Sequence, residues 1–278
     1  MIDDFIKHIE AGNINDFKKH VGENSLLQYP GTYDFTGEFE KIEYQKNLKI
    51  HKNKLLYYVE NPLTYTFNSN GFRTWEDFSK GGDVNIYLGC SNTFGLGIHQ
   101  KHTWAYKLHE HISNGEKYWN IALPGNGIQT DFRTLYYILK TYENIINVKN
   151  IFHWADYHFR FEFFNNYGPS VLSIHDYTSA DSNIDTIKNN LLVKTNNKLN
   201  YISNINAIQN LSNNFGANYH ICNFEYLDNI LNPNHKYDYD INFNRKLSNL
   251  LARDLVHPSY VTHHKMFESM LTLHNRKL

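Results

Sequence analysis

Ser91 has the type and position of a residue that could support covalent chemistry. It lies in the glycine-rich stretch 89–97, directly after a run of residues with strand propensity. A serine on the turn between a strand end and a helix presents its hydroxyl at the mouth of a site and keeps its backbone N–H free. This placement predicts an acyl-transfer nucleophile. The same stretch, taken alone, is also typical of an ordinary turn.

A second candidate is the pair formed by Asp254 and His257 near the end of the chain. A carboxylate three residues before a histidine can fold back and accept a hydrogen bond from Nδ1–H, which fixes the tautomer. Nε2 is then left to take a proton from a hydroxyl. The alternative is a surface turn capped by an aspartate.

The third stretch is the turn containing Gly125 and Asn126, after the second predicted strand. Its backbone amides could point into the same crevice as Ser91. The N–H groups of Gly125 and Ser91 would then form an oxyanion hole, each donor worth on the order of 3 kcal/mol in the transition state. The alternative is a plain strand-to-helix turn.

The elements that must position these residues alternate between strands and helices. Alternation of this kind predicts a parallel sheet with helices on both faces, and ligands bind at the carboxyl ends of such strands. We therefore expect a three-layer α/β/α sandwich with an N-terminal extension; the flavodoxin-like form of this sandwich is implied only by the family resemblance given below. The predicted strands are 84–88, 118–123, 150–155 and 217–224, and the predicted helices are 103–112, 128–146, 184–214 and 260–272.

The chain divides near residue 80 according to its patterning. Residues 1–80 have helix-like apolar spacing over 2–21 and then several turn signals, whereas the strand and helix alternation begins after residue 81. We predict an arm of short elements over 1–80 that packs on, or tethers, a domain formed by 81–278.

The order of these motifs resembles the SGNH (GDSL-type) hydrolases, which are esterases and deacetylases on a flavodoxin-like sheet. The resemblance covers about residues 64–274 and includes the segment from Asn68 to Arg73 and the pair Thr103-Trp104. It implies that Ser91 is the nucleophile, His257 the general base, Asp254 its orienting carboxylate and Gly125 an oxyanion donor.

The chain departs from that family pattern at two places. Cys90 stands where the family usually has an aspartate, and the third family block, with its oxyanion asparagine, is absent. Asp156 and His158 occupy about that position, and we include Asp156 with Gly125 and Asn126 among the candidate oxyanion or substrate-binding residues. An ionised carboxylate facing an oxyanion would oppose catalysis.

Other site chemistries find less support in the sequence. No G-x-S-x-G surrounds Ser91, Gln100 replaces the last glycine of a dinucleotide fingerprint, and no G-K-[ST] occurs. His99 and His102 lack a partner at metal-ligand spacing. We expect no metal and no organic cofactor. Cys90 beside His257 is kept as an alternative nucleophile.

Composition excludes several classes of protein. In 278 residues, 27 basic and 28 acidic side chains leave a net charge of −1 without a block of one sign, which argues against a nucleic-acid-binding protein. The sequence has no apolar stretch of about 18 residues, so we predict no membrane-spanning helix. The first ten residues do not resemble a secretory signal. We expect a cytoplasmic protein as synthesised.

These observations predict a serine esterase that cleaves small acyl esters, with O-acetyl groups on a glycan suggested by the resemblance alone. An O-acyltransferase would use the same three residues. A different class of function is a catalytically silent binding or structural module, for example in a virus particle, with residues 1–80 as its attachment arm.

Overall fold

A four-stranded parallel sheet forms the centre of the structure, which is a computed structural model. It describes residues 28–155, 160–165, 168–173, 194–222, 252–255, 257–258 and 260–276. The helix expected over 2–21 lies outside these ranges. The strands are β1 (Gly31–Tyr33), β2 (Tyr65–Phe67), β3 (Gly82–Gly89), β4 (Lys117–Asn120), β5 (Ile146–Trp154), β6 (Arg160–Asn165), β7 (Gly168–Ser173) and β8 (Asn218–Cys222). The strand order in the central sheet is β4-β3-β5-β8, and all neighbours run parallel. Two antiparallel pairs, β1-β2 and β6-β7, lie outside that sheet.

Helices flank the central sheet, as the alternation of elements predicts. Short 3₁₀ turns occur at Phe78–Lys80 and Gln100–His102. No helix in the described ranges is long and apolar enough to span a membrane. The helices are α1 (Glu38–Glu60), α2 (Ser91–Phe94), α3 (Trp104–Ile112), α4 (Ile128–Tyr142), α5 (Lys194–Asn214) and α6 (Tyr260–Asn275).

Two apolar clusters, one on each face of the sheet, hold the three layers together. On β3, Ile86 belongs to the cluster that includes residues of α4 and α5, while Tyr87 belongs to the cluster that includes residues of α3 and α6. Successive side chains of a strand point to opposite faces, so a strand buried on both sides supplies both clusters. The architecture is therefore the predicted α/β/α sandwich.

Helix α1 is a difference from the sequence-based prediction, which gave only short elements over residues 26–80. It contains many strong helix formers but no regular apolar face, and its buried residues are Glu40, Leu55 and Tyr58. Periodicity therefore gives no signal for it. The backbone leaves helical geometry at His51, where the helix is kinked.

The β6–β7 hairpin is a second difference from the prediction. It follows β5, and the backbones of Arg160–Asn165 and Gly168–Ser173 pair in antiparallel register. Aromatic residues in this stretch fit a buried helix segment or a strand equally well, so sequence pattern alone does not separate the two.

Candidate active site

Ser91 begins the short helix α2, immediately beyond the carboxyl end of β3. The strand ends at Gly89, whose φ of 142° suits glycine, and an added Cβ would lie 2.5 Å from both Thr93 Oγ1 and Trp154 O. This close approach of the neighbouring strand and α2 gives the turn its shape. Ser91 is 6% exposed at the sheet edge where ligands of such folds bind.

Cys90 occupies the position where the resembled family has an aspartate, and it contacts the side chains that follow it. The Ser91 hydroxyl donates to Cys90 Sγ over 3.8 Å, and Asn92 Nδ2 donates to the same sulfur over 3.9 Å. The thiol is buried. Sulfur is a weak acceptor, so the bond from Ser91 Oγ holds the hydroxyl only loosely and allows it to rotate towards another partner.

The structure brings Asp254 and His257 together in one turn of chain. Asp254 Oδ2 lies 2.5 Å from His257 Nδ1, and Asp254 Oδ1 accepts the backbone N–H of His257 at 3.0 Å. Leu255, between them, has a φ of 59°, the left-handed conformation that makes the turn tight. The imidazole side chain is 23% exposed, so it is only partly covered by the protein.

The Asp254–His257 turn packs on the segment that follows Ser91. Arg253 N donates to Gly97 O at 3.0 Å, and Leu96 N donates to Ser91 O at 3.1 Å. A Cβ at Gly97 would lie 2.7 Å from Ala252 Cβ and 3.6 Å from the Asp254 carboxyl carbon. Two backbone hydrogen bonds therefore link the turn to Ser91, one through Gly97 and one through Leu96.

The Ser91 hydroxyl and the His257 ring do not share a hydrogen bond in the described residues. Ser91 Oγ bonds to Cys90, and His257 Nδ1 bonds to Asp254. In structures without substrate, hydrogen bonds between a nucleophile and its base are often long or unformed and tighten when substrate binds. The arrangement therefore places an imidazole oriented by Asp254 in a turn bonded to the segment after Ser91, and a direct bond to the hydroxyl would require the Ser91 side chain to rotate.

Two backbone N–H groups at the same sheet edge lack an acceptor among the residues that the structure describes. They belong to Ser91 and Gly125, while the chain segments around them are joined by a bond of 3.1 Å from Leu123 N to Gly89 O. Gly125 is exposed and has a φ of 80° with open space around it. Unpaired N–H groups beside a hydroxyl are the donors that an oxyanion requires.

Asn126 lies next to Gly125, and its side chain takes part in a buried polar network. Asn126 Nδ2 donates to Asp131 Oδ1 at 2.5 Å and to Gly89 O at 3.4 Å. Asp131 Oδ2 lies 3.0 Å from His153 Nε2, and the Nδ1 atom of that ring lies 2.7 Å from the Tyr219 hydroxyl. Burial raises the pKa of Tyr219 well above its ordinary value, so its hydroxyl stays protonated.

This network gives Asn126 a role that differs from the oxyanion contact suggested by its position in the sequence. Both hydrogens of its side-chain amide are directed at Asp131 and Gly89 O. In this arrangement the side chain anchors the turn that carries the Gly125 N–H. The sequence gives no signal for the network, because Asp131 and His153 are far apart in the chain and meet through the fold.

The remaining candidates have less to contribute. Asp156 and His158 lie outside the described residues. His99 and His102 stand 6.1 Å apart between ring centres, and His102 Nε2 is bonded to Tyr57 at 3.2 Å. No group of three or more His, Cys, Asp or Glu side chains in the described part of the chain is arranged to hold a metal ion.

Two buried arginines support the site, and the sequence analysis assigns neither of them a role. Arg73 ends the Asn68–Arg73 segment, and it donates to the carbonyl oxygens of Phe94 and Gly95 at 2.9 and 2.5 Å and of Ile98 at 2.8 Å. Its guanidinium thus fixes the backbone after α2. Arg253 precedes Asp254 and bonds with residues of the N-terminal segment. The motif containing Arg73 is the signal that could have pointed to it.

Comparisons with known proteins leave the chain without an assigned family. No protein-family model matches it, and no curated protein sequence matches it significantly.

Proposed function

We propose that this protein is a serine hydrolase that cleaves small acyl esters, with Ser91, His257 and Asp254 as its catalytic residues. The observation that carries the proposal is the 2.5 Å contact between Asp254 and His257, in a turn hydrogen-bonded to the segment that follows Ser91. A carboxylate on Nδ1 keeps Nε2 as the proton acceptor. The N–H groups of Ser91 and Gly125, which have no acceptor among the described residues, would add the donors that acyl transfer needs.

The reaction takes place in two halves. Ser91 Oγ attacks the ester carbonyl carbon while His257 Nε2 takes the hydroxyl proton, and the N–H groups of Ser91 and Gly125 bind the oxyanion. The tetrahedral intermediate collapses, the C–O bond to the alcohol breaks, and His257 returns the proton to the leaving oxygen. A water then attacks the acyl-serine with His257 as base, which releases the carboxylic acid and restores Ser91.

The substrate class rests on weaker support than the chemistry does. O-acetyl groups on a glycan are suggested by the resemblance of the motifs to SGNH hydrolases. The same three residues would transfer the acyl group to a sugar hydroxyl if the sugar replaced water. Comparing acetate release with acetyl transfer to an added sugar distinguishes the two outcomes.

Turnover of p-nitrophenyl acetate by four proteins tests the proposal: wild type, Ser91→Ala, His257→Ala and Cys90→Ala. Ser91→Ala and His257→Ala are each expected to lower kcat at least about a hundredfold, because each removes a member of a cooperative unit. Cys90→Ala is the matched control next to the nucleophile and is expected to retain much of the activity.

Two outcomes contradict the proposal in different ways. Equal rates for wild type and Ser91→Ala would favour a catalytically silent binding module. Loss of turnover in Cys90→Ala with activity preserved in Ser91→Ala would identify the thiol as the nucleophile.

A further inference from the structure

A closed ring of hydrogen bonds joins the N-terminal segment to both halves of the candidate site. Gly97 N donates to the Tyr65 hydroxyl at 2.9 Å, and that hydroxyl donates to Glu40 Oε1 at 2.7 Å. Arg253 Nε donates to the same Glu40 oxygen at 2.9 Å, and Arg253 N returns to Gly97 O at 3.0 Å. The ring therefore passes through four residues that are distant in the sequence.

The ring lies in the interior, where charges require several partners. Glu40 and Arg253 are 6% and 3% exposed. The second oxygen of Glu40 accepts from the backbone N and the hydroxyl of Thr36 at 2.8 and 2.9 Å. Arg253 also donates to the carbonyl oxygens of Leu63 and Asp34, and its guanidinium lies 4.2 Å from the centre of the Phe35 ring. A buried ion pair satisfied on all sides specifies one geometry more strictly than apolar packing does.

The ring includes residues that adjoin the proposed nucleophile and the Asp254–His257 turn in the chain. Gly97 follows the α2 turn that begins at Ser91, and Arg253 directly precedes Asp254. Helix α1 adds a further contact, because Asn47 Nδ2 donates to Asp254 O at 2.9 Å. A shift of either the Gly97 segment or the Arg253 segment would move His257 relative to Ser91.

We propose that Glu40, Tyr65 and Arg253 are positioning residues that hold the Asp254–His257 turn in register with the Ser91 segment. Residues 34–67 are then part of the catalytic unit. This inference rests on the proposed function for its catalytic consequence, although the coupling within the ring is independent of any activity.

Tyr65→Phe tests the inference, because it removes the hydroxyl that joins Gly97 to Glu40 and keeps the buried ring of the side chain. Tyr33→Phe is the matched control. Tyr33 lies opposite Tyr65 in the β1–β2 pair, and its hydroxyl has no hydrogen bond among the described residues. Both variants are titrated with a fluorophosphonate to count active sites before kcat on p-nitrophenyl acetate is measured.

We expect Tyr65→Phe to lower kcat per titrated site tenfold to a hundredfold, on the order of the effect of a 1 Å misplacement, with little change in KM. A merely structural role would reduce the number of titrated sites and leave kcat per site unchanged. Tyr33→Phe should match the wild type in both quantities.

Amide hydrogen exchange provides a readout that needs no activity. In Tyr65→Phe the Arg253 amide, which the lost hydroxyl does not touch, should exchange at least about tenfold faster if the ring acts as a unit. Unchanged exchange at Arg253, or unchanged kcat per site, would overturn the inference.

The remaining outcomes also have one meaning each. If wild type shows no Ser91-dependent turnover, the proposed function fails, and the exchange result still decides whether the ring is coupled. If Tyr65→Phe does not fold, Arg253→Lys is measured in its place, because it keeps the cation beside Glu40 and removes the fork that reaches Leu63 O and Asp34 O.

Discussion

At the scale of single residues, the contact of Asp254 with His257 Nδ1 leaves Nε2 as the nitrogen that would act as the proposed base. Asp254 accepts from both the backbone N–H and Nδ1 of His257, so ring and main chain are oriented by one carboxylate. Nε2 has no hydrogen-bond partner among the described residues and is left as the acceptor. The proposed chemistry therefore depends on an acidic side chain that would not itself touch a substrate.

Replacing that carboxylate by an amide gives the first prediction at this scale. In Asp254→Asn the amide NH₂ would donate to Nδ1 and favour the tautomer that carries hydrogen on Nε2, which cannot accept the serine proton. We expect kcat on p-nitrophenyl acetate to fall on the order of 10³- to 10⁴-fold.

The matched control for this change is Asp83→Asn. Asp83 is an exposed residue of β3 that pairs with Lys149 at 3.1 Å, far from the carboxyl end of the strand. Its kcat should stay within about twofold of wild type, as surface changes away from a site usually do. A similarly small change in Asp254→Asn would contradict the proposed role of the carboxylate.

Local pairs such as Asp254–His257 are the part of the site that a sequence can predict. Three residues of separation allow the contact to form within one turn, whatever the rest of the chain does. The position of the Asn126 side chain follows a different logic. Its amide is used by Asp131, which is anchored by His153 on another strand, so its orientation is a property of the assembled fold.

At the scale of elements, the critical contact is the approach of the 252–257 turn to the segment after α2. Gly97 has a φ of 78°, and the side chain of Ala252 occupies the space where a Cβ atom at position 97 would lie. A side chain here would press the two segments apart. Glycine at this position thus allows the segments that carry the proposed nucleophile and base to pack closely.

Gly97→Ala is therefore expected to lower kcat more than a substitution with the same effect on the free energy of unfolding. The added Cβ would lie 2.7 Å from Ala252 Cβ, which forces the Asp254–His257 turn outwards. We expect kcat to fall at least about tenfold, since small displacements of reacting groups are costly. Steady-state kinetics together with urea unfolding measure both quantities.

Gly216→Ala is the control for backbone strain alone. Its φ of 68° is similar, and nothing lies within 4 Å of an added Cβ. Both variants carry a conformational cost of about 1–2 kcal/mol. If Gly97→Ala keeps the kcat of Gly216→Ala, the close contact at Gly97 has no catalytic role.

The prediction of elements succeeded where periodicity and turn chemistry agree. Helix α3 begins after Thr103, whose hydroxyl accepts the Tyr106 N–H at 3.2 Å, and its apolar side packs on the sheet. Helix α1 has no such face, because its only buried residues are Glu40, Leu55 and Tyr58, and Glu40 is used in polar contacts. Its place in the structure depends on contacts with distant residues such as Arg253, which the sequence pattern does not predict.

At the scale of the whole molecule, polar contacts join residues that are far apart in the chain. The bond between Arg253 and Glu40 spans 213 residues. The one between Trp104 N and His263 Nδ1, at 3.2 Å, spans 159 and joins α3 to α6. Contacts between residues so far apart in the chain form only when the fold has assembled. The pattern of strands and helices therefore predicts the fold class, but it does not predict that Arg253 and Glu40 support the candidate site.

The His263 contact predicts a loss of stability in acid. Burial, with a smaller effect from nearby cations including Arg73, lowers the pKa of His263 to about 3 from an ordinary value near 6.5. Between these values the unfolded chain binds a proton that the folded chain does not, so stability falls as pH falls through this window. The cost is about 1.4 kcal/mol per pH unit.

Urea unfolding at pH 7 and pH 5 measures this effect in wild type and in His263→Asn. The asparagine oxygen can accept the Trp104 N–H but does not titrate. We expect the free energy of unfolding to drop by about 2 kcal/mol less in the variant than in wild type over this interval. Equal drops in the two proteins would show that His263 does not contribute to acid sensitivity.

The central claim is that a hydroxyl at position 91 and an imidazole at position 257 act together. A crystal structure of the chain after treatment with a fluorophosphonate tests it most directly. We predict a phosphorus bonded to Ser91 Oγ, an oxygen directed at the N–H groups of Ser91 and Gly125, and His257 Nε2 within about 3.2 Å of Ser91 Oγ. An adduct on a different residue, or a His257 ring turned away from Ser91, would contradict the account.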